Sequence, residues 1–145
     1  SEVTLRLFHR RRPGSREIRS ALLARSDWTS ALQSDLEVRV LAAIRRAGLP
    51  MPVVQYELSF EDGHIVRFDF AWPHIRVALE VDHSFWHVGS EESRKDKQRD
   101  RKVATLSWQT LRITEDDVRV GLDGVMLDLA AIIRAAEIFM GVKSA

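Results

Sequence analysis

Two short runs of alternating apolar residues, separated by a four-residue break, constrain this chain more than any other feature. Val66, Phe68 and Phe70 alternate with Arg67 and Asp69, and Val77, Leu79 and Val81 alternate with Ala78, Glu80 and Asp82. A period of two marks a strand with one buried face. Pro73 breaks the chain between the runs, and a connection over residues 73–76 is short enough for an antiparallel hairpin. Facing partners in such a hairpin have residue numbers of constant sum, which sets Asp69 across from Glu80. Arg67 and Asp69 share one face of the second strand, and Ala78, Glu80 and Asp82 share one face of the third, so the three acids lie on one surface of the hairpin. Facing Cβ atoms stand about 4.5–5.5 Å apart, where like charges repel. Three carboxylates on one surface therefore require a cation, a proton or an arginine. Hard oxygen ligands favour Mg2+ or Mn2+ over zinc. The plainer alternative is an exposed face of solvated charges relieved by Arg67 and Arg76.

The surrounding pattern supplies the architecture. Ser34, Asp35, Leu36 and Glu37 have the spacing of a capping box, and Leu36, Val40, Leu41 and Ile44 form a helical stripe that Gly48 and Pro50 end. Val54, Tyr56, Leu58 and Phe60 alternate as a first strand, and Asp62-Gly63 turns into the second. A helix is predicted over residues 91–106, entered through Gly89 and Ser90, and a fourth strand over residues 108–113. Leu122, Val125, Met126, Leu129, Ile132, Ile133, Ala136 and Phe139 form an amphipathic closing helix, whose stripe serves either the core or a homodimer surface. The order α-β-β-β-α-β-α predicts an α/β fold with a mixed central sheet flanked by helices. A length of 145 residues suits one core. Residues 1–30 are Arg-rich, lack a strong hydrophobic period and open at serine, so they read as a lead-in from an upstream domain, with residues 31–145 as the folded domain.

Net charge is +1, but it is segregated. Residues 1–30 carry seven arginines against three acids, residues 94–102 carry six cations against two acids, and residues 57–92 carry eight acids against two arginines. Basic flanks around an acidic centre suit a metal-dependent phosphodiesterase, with cationic surface for phosphates and carboxylates for the ion. The absence of cysteine excludes disulfides and thiolate metal sites, and no membrane span or signal peptide is visible, so a cytoplasmic protein is expected.

The remaining candidates cluster after the third strand. His83 and His87 can act near neutral pH as proton donor, acceptor or ligand. Phe85 and Trp86 serve either as wedges that unstack bases or as a lid on the core. Lys95, Arg99 and Lys102 fall on one helical face and can track a phosphate backbone, although Asp96 and Asp100 also allow a salt-bridged solvent face. Glu37 stands where a capping box places a purely structural glutamate. His64 and His74 sit at predicted turns and read as surface residues.

At these residues the chain resembles the very-short-patch-repair-like nucleases, a branch of the PD-(D/E)XK endonuclease superfamily. The likeness runs from about Ser34 to Arg119. It rests on Ser34, Asp35, Leu36 and Glu37 opening the first helix, on Phe68, Asp69 and Phe70, and on Val77, Ala78, Leu79, Glu80, Val81 and Asp82. Phe85, Trp86 and His87, then Lys97 to Arg101 and Trp108 to Arg112, complete it. The resemblance implies a restriction-endonuclease-like core, a Mg2+ or Mn2+ cofactor and a double-stranded DNA substrate. It implies Asp69 as the central metal-bridging carboxylate, Glu80 as the second acid, and Asp82 at the position many superfamily members fill with lysine. His87 then matches a histidine of proton transfer, Glu37 a glutamate of the first helix, and Phe85 and Trp86 aromatics that enter the DNA stack. Two departures bear on mismatch specificity: the repair enzymes' structural zinc site uses cysteine, which this chain lacks, and Val88, Gly89 and Ser90 follow His87 where those enzymes run rich in histidine. The 80–82 strand is closer to uncharacterised bacterial relatives, some fused behind helix-turn-helix domains. Two alternatives stay open, a non-catalytic DNA-binding or regulatory module on the same fold and an RNA substrate.

Overall fold

Charge at both ends and an apolar face between them make the first helix. The computed structural model describes residues 35–82 and 90–142. Helix α1 (Asp35–Arg46) has Asp35 and Glu37 in its first turn and Arg45 and Arg46 in its last, the arrangement that complements the helix dipole. Val38, Val40, Leu41, Ala42, Ala43 and Ile44 are buried along it. Gly48, at φ +73°, supplies the left-handed residue after the helix that a side chain would resist. The Trp72 indole N–H then donates to the Pro50 carbonyl at 2.7 Å, fixing the exit loop to the sheet.

The sheet has order β1-β2-β3-β4, with β1 (Val53–Ser59), β2 (Ile65–Trp72), β3 (Val77–Asp82) and β4 (Gln109–Thr114). β1, β2 and β3 pair antiparallel, and β4 joins parallel to β3, so the sheet is mixed as expected. A 3-10 turn (Pro73–Ile75) makes the β2–β3 connection, with Arg76 left-handed at φ 54°. The parallel pair needs a crossover, which α2 (Ser90–Thr105) provides. Two further helices close the chain, α3 (Glu115–Val120) and α4 (Asp123–Met140).

Each face of the sheet has its own core. Phe70, Trp72, Val77, Leu79 and Val81 pack with α1 and with Met126, Leu129 and Ile133 of α4. Val66, Phe68, Ala71 and Ala78 pack on the other side with Val103 of α2, joined by Tyr56, Leu58, Phe60 and Trp108. Trp108 stacks on Phe68 at 5.1 Å and Tyr56 at 5.7 Å between ring centroids. Burying each large apolar side chain contributes about 1.5–3 kcal/mol, so these layers hold the sheet rigid beneath any site on it. Among the described residues no helix is long and apolar enough to cross a membrane.

The closing helix expected over Leu122 to Phe139 is α4, and a short helix the sequence reading did not include precedes it. Thr114 and Asp117 form a reciprocal capping box that starts the separate short α3, and Gly121 ends it before α4 begins. Phe139, read as part of the apolar stripe, is 86% exposed, whereas Met126, Leu129 and Ile133 are buried. Ile138 of the same turn is exposed as well, whereas Ala136 before it and Val142 after it pack against the core.

Candidate functional site

The hairpin register is the expected one. Trp72 faces Val77, Ala71 faces Ala78 and Phe70 faces Leu79, and there the β2–β3 pairing stops. Asp69 and Glu80 are the next residues along, at the point where the strands part. The Asp69 carboxylate occupies the opening, and its Oδ2 accepts the Val81 backbone N–H at 2.8 Å. This supplies a partner to a backbone donor that the interrupted pairing no longer serves. On the other side, Gln55 Nε2 donates toward Asp69 Oδ1 at 3.4 Å and toward Glu37 Oε1 at 3.5 Å. Glu37 is 3% exposed, the one fully buried charged side chain among the described residues. It therefore does more than cap: α1 delivers its carboxylate to the sheet. Ser34, the capping partner expected from sequence, lies outside the described residues.

A change of facing accompanies this row. Val54 and Phe70 pack on the α1 side, while their two-residue neighbours Tyr56 and Phe68 pack on the α2 side. A regular strand would keep each of these pairs on one face. The switch falls at Gln55, whose φ of +50° lies in the left-handed region, and at Asp69 opposite it in the β1–β2 register. The expectation that Val66, Phe68 and Phe70 share one face is thus corrected, as is the single face for Val54, Tyr56, Leu58 and Phe60. Both strands turn over together, which preserves their register.

Glu80 is the electrostatic centre. Arg99 of α2 donates to both of its oxygens, through Nη1 to Oε2 at 3.0 Å and through Nη2 to Oε1. Arg112 of β4, its neighbour in the parallel register, adds a contact at 3.6 Å and also pairs with Asp100 of α2. Arg99 reaches the Arg67 carbonyl at 3.2 Å and lies 5.4 Å from the Phe68 ring centroid. Burial holds the Glu80 carboxyl above the usual carboxylate range, outweighing the hydrogen bond and charge of Arg99 and the charge of Arg112, with nearby Asp69 adding to the upward shift. The alternative in which Arg67 and Arg76 relieve the acids is corrected. Arg67 pairs with Glu57 at 2.9 Å, and Arg76 donates to the Leu106 carbonyl at 3.0 Å.

The other candidates scatter around this centre. Asp82 ends β3 with an exposed side chain, in register with Thr114. Lys95 is exposed on α2. Lys102 pairs with Asp62 and lies 5.2 Å from the Phe60 centroid, so the Arg99 and Lys102 face of α2 turns to the sheet rather than to solvent. The Lys102 contact also holds the exposed Asp62 carboxyl below its ordinary range. These pairs explain why a helix with few apolar residues stays seated. Its charges anchor it where an apolar stripe would otherwise be required. His83, Phe85, Trp86 and His87 lie outside the described residues. His64 and His74 are exposed, as expected.

Asp69 and Glu80 present oxygen ligands of the kind Mg2+ and Mn2+ take, and their mutual repulsion would be relieved by such an ion. Their present partners are protein donors, and among the described residues no group of three or more histidine or acidic side chains stands close enough to hold a metal. An ion held by both carboxylates would share or compete with Arg99 for the Glu80 oxygens. Two residues of the site escaped the sequence reading. Arg112 had a usable signal, because a parallel β3–β4 pair at matched ends sets it beside Glu80. Gln55 had none beyond being polar within an apolar run.

No family model matches the chain, and no solved structure matches it. Over 72 residues it is 43% identical to uncharacterized proteins of two Mycobacterium tuberculosis strains. That stretch is 50% of this chain and 27% of each relative, so the chain spans little more than a quarter of the relatives it matches.

Proposed function

We propose that this chain carries a metal-dependent DNA endonuclease domain with a restriction-endonuclease-like core, similar to the very-short-patch-repair-like nucleases. One observation carries the reading. Asp69 is held where β2 and β3 part, adjacent to Glu80, with the buried Glu37 of α1 reached by the same Gln55 amide. An abandoned surface has no reason to gather these acids at a break in the sheet. The order α-β-β-β-α-β, with β4 parallel to β3, supports the same fold.

In this reading Asp69 and Glu80 would hold Mg2+ or Mn2+, and Asp82 would add a ligand or orient the water. When bound, the ion polarises the scissile phosphate and lowers the pKa of a coordinated water. The protein's own work is orientation and charge. Val81 N–H and Gln55 fix the Asp69 carboxylate. Arg99 and Arg112, already gathered at Glu80, can receive a phosphate in the forked geometry with which guanidinium binds a carboxylate. The exposed cations of α2, with Lys95 among them, would track the double-stranded backbone. His87 would move a proton, and Phe85 and Trp86 would deform the duplex. Such a substrate places the protein in the cytoplasm. An upstream domain and a homodimer belong to the same proposal.

Incubation with supercoiled plasmid and Mg2+ or Mn2+ tests it: wild type nicks or linearises the plasmid, EDTA stops the reaction, and Asp69→Ala is inactive. Equal cleavage by wild type and Asp69→Ala refutes the site. A second reading, a non-catalytic DNA-binding module, draws on the Arg99 and Arg112 contacts to Glu80, which make that carboxylate an anchor for α2 and β4. It predicts salt-dependent DNA binding without metal-dependent cleavage.

A further inference from the structure

We propose that Gln55 is a positioning residue that sets the Asp69 carboxylate and couples it to Glu37, an inference that rests on the nuclease reading. Three observations converge on it. Its single amide nitrogen lies within 3.5 Å of oxygens on both carboxylates, one from α1 and one from β2. Its φ of +50° is one of three left-handed non-glycine values among the described residues, and a long side chain adopts that conformation only when its surroundings impose it. It also stands at the step where β1 and β2 change face, which is the turn that aims its side chain at Asp69.

The residue type fits the task. An amide NH2 carries two hydrogens, so one neutral group can serve two acceptors. A lysine or arginine here would compete with an entering cation, and a glutamate would add a third negative charge with no donor. Gln55 adds no charge of its own while restricting where the two carboxylates point. With Val81 N–H on Oδ2 and Gln55 on Oδ1, both Asp69 oxygens are oriented before any ligand arrives. Groups that orient a ligand from behind commonly govern affinity and rate by about 10–100-fold.

The test separates the amide from the backbone. Gln55→Gly accepts a φ of +50° without strain and lacks the amide, so relief of the backbone offsets only part of the stability lost with the hydrogen bonds and with the greater freedom of the unfolded chain. Gln55→Met keeps the length and the strain but has no donor. Isothermal titration with Mn2+ alone is expected to show both variants binding roughly 10–100-fold more weakly than wild type. Plasmid cleavage at saturating Mn2+ is expected to lose kcat with KM for DNA unchanged. Mn2+ affinity in either variant within about twofold of wild type overturns the Gln55 assignment alone, as does a loss of affinity that only follows a loss of folded protein. Failure of wild type to bind Mn2+ or to cut DNA overturns the nuclease reading, and this inference with it.

Discussion

Replacing Arg99 with alanine removes both hydrogen bonds to Glu80, the bond to the Arg67 carbonyl and the cation above Phe68. What remains is a carboxylate 17% exposed, with Arg112 as a partner 3.6 Å away. Breaking a fully buried pair from one side costs about 3–5 kcal/mol, and an exposed pair contributes about 0–1 kcal/mol. Arg99 is 22% exposed and Arg112 persists, so Arg99→Ala should cost about 2 kcal/mol. With a urea slope of about 1–3 kcal/mol per molar, the midpoint falls by roughly 1 M. The loss depends on pH. Glu80 already titrates above its ordinary value because burial disfavours its charge, and removing Arg99 raises it further. A raised carboxyl contributes stability that is present below its unfolded value and lost as pH rises through the folded one. The deficit of Arg99→Ala should therefore be small in acid and grow toward neutrality, and adding Glu80→Gln should recover most of it. Urea titrations at pH 5 and pH 8 measure this. Coincident midpoints at pH 8, or a deficit larger at pH 5, would refute the view that Arg99 compensates a buried charge.

Trp72→Phe loses the indole bond to Pro50 and part of the ring volume, and should lower stability by about 2 kcal/mol in urea unfolding, against no change if that bond is incidental. Phe139→Ser should alter the monomer's stability by less than about 0.5 kcal/mol, because the ring is 86% exposed; a larger loss would show that this surface is covered in solution.

The hairpin that opposes Asp69 and Glu80 was readable because a short connection and a strict alternation leave one register for burying Phe70, Leu79 and Trp72. The facing switch was hidden for a related reason. Spacing in sequence stays at two whether or not the backbone turns over at Gln55, so Val54, Tyr56 and Leu58 look like one face although they serve two cores. Only a dihedral angle distinguishes the cases, and no residue type at Gln55 announces it. The α2 stripe misled in the opposite direction. Helical spacing showed that Arg99 and Lys102 share a face, but not that Glu80 and Asp62 would draw that face onto the sheet. Thr114 and Asp117 did carry a legible signal, the capping box of α3, which the apolar period of the longer closing helix overshadowed.

The most direct test of a metal site at the parted strands is an anomalous difference map from crystals soaked in Mn2+. The expected result is a peak bridging Asp69 and Glu80. An intact Arg99–Glu80 pair and no peak, at a Mn2+ concentration that supports plasmid cleavage in solution, would contradict the account.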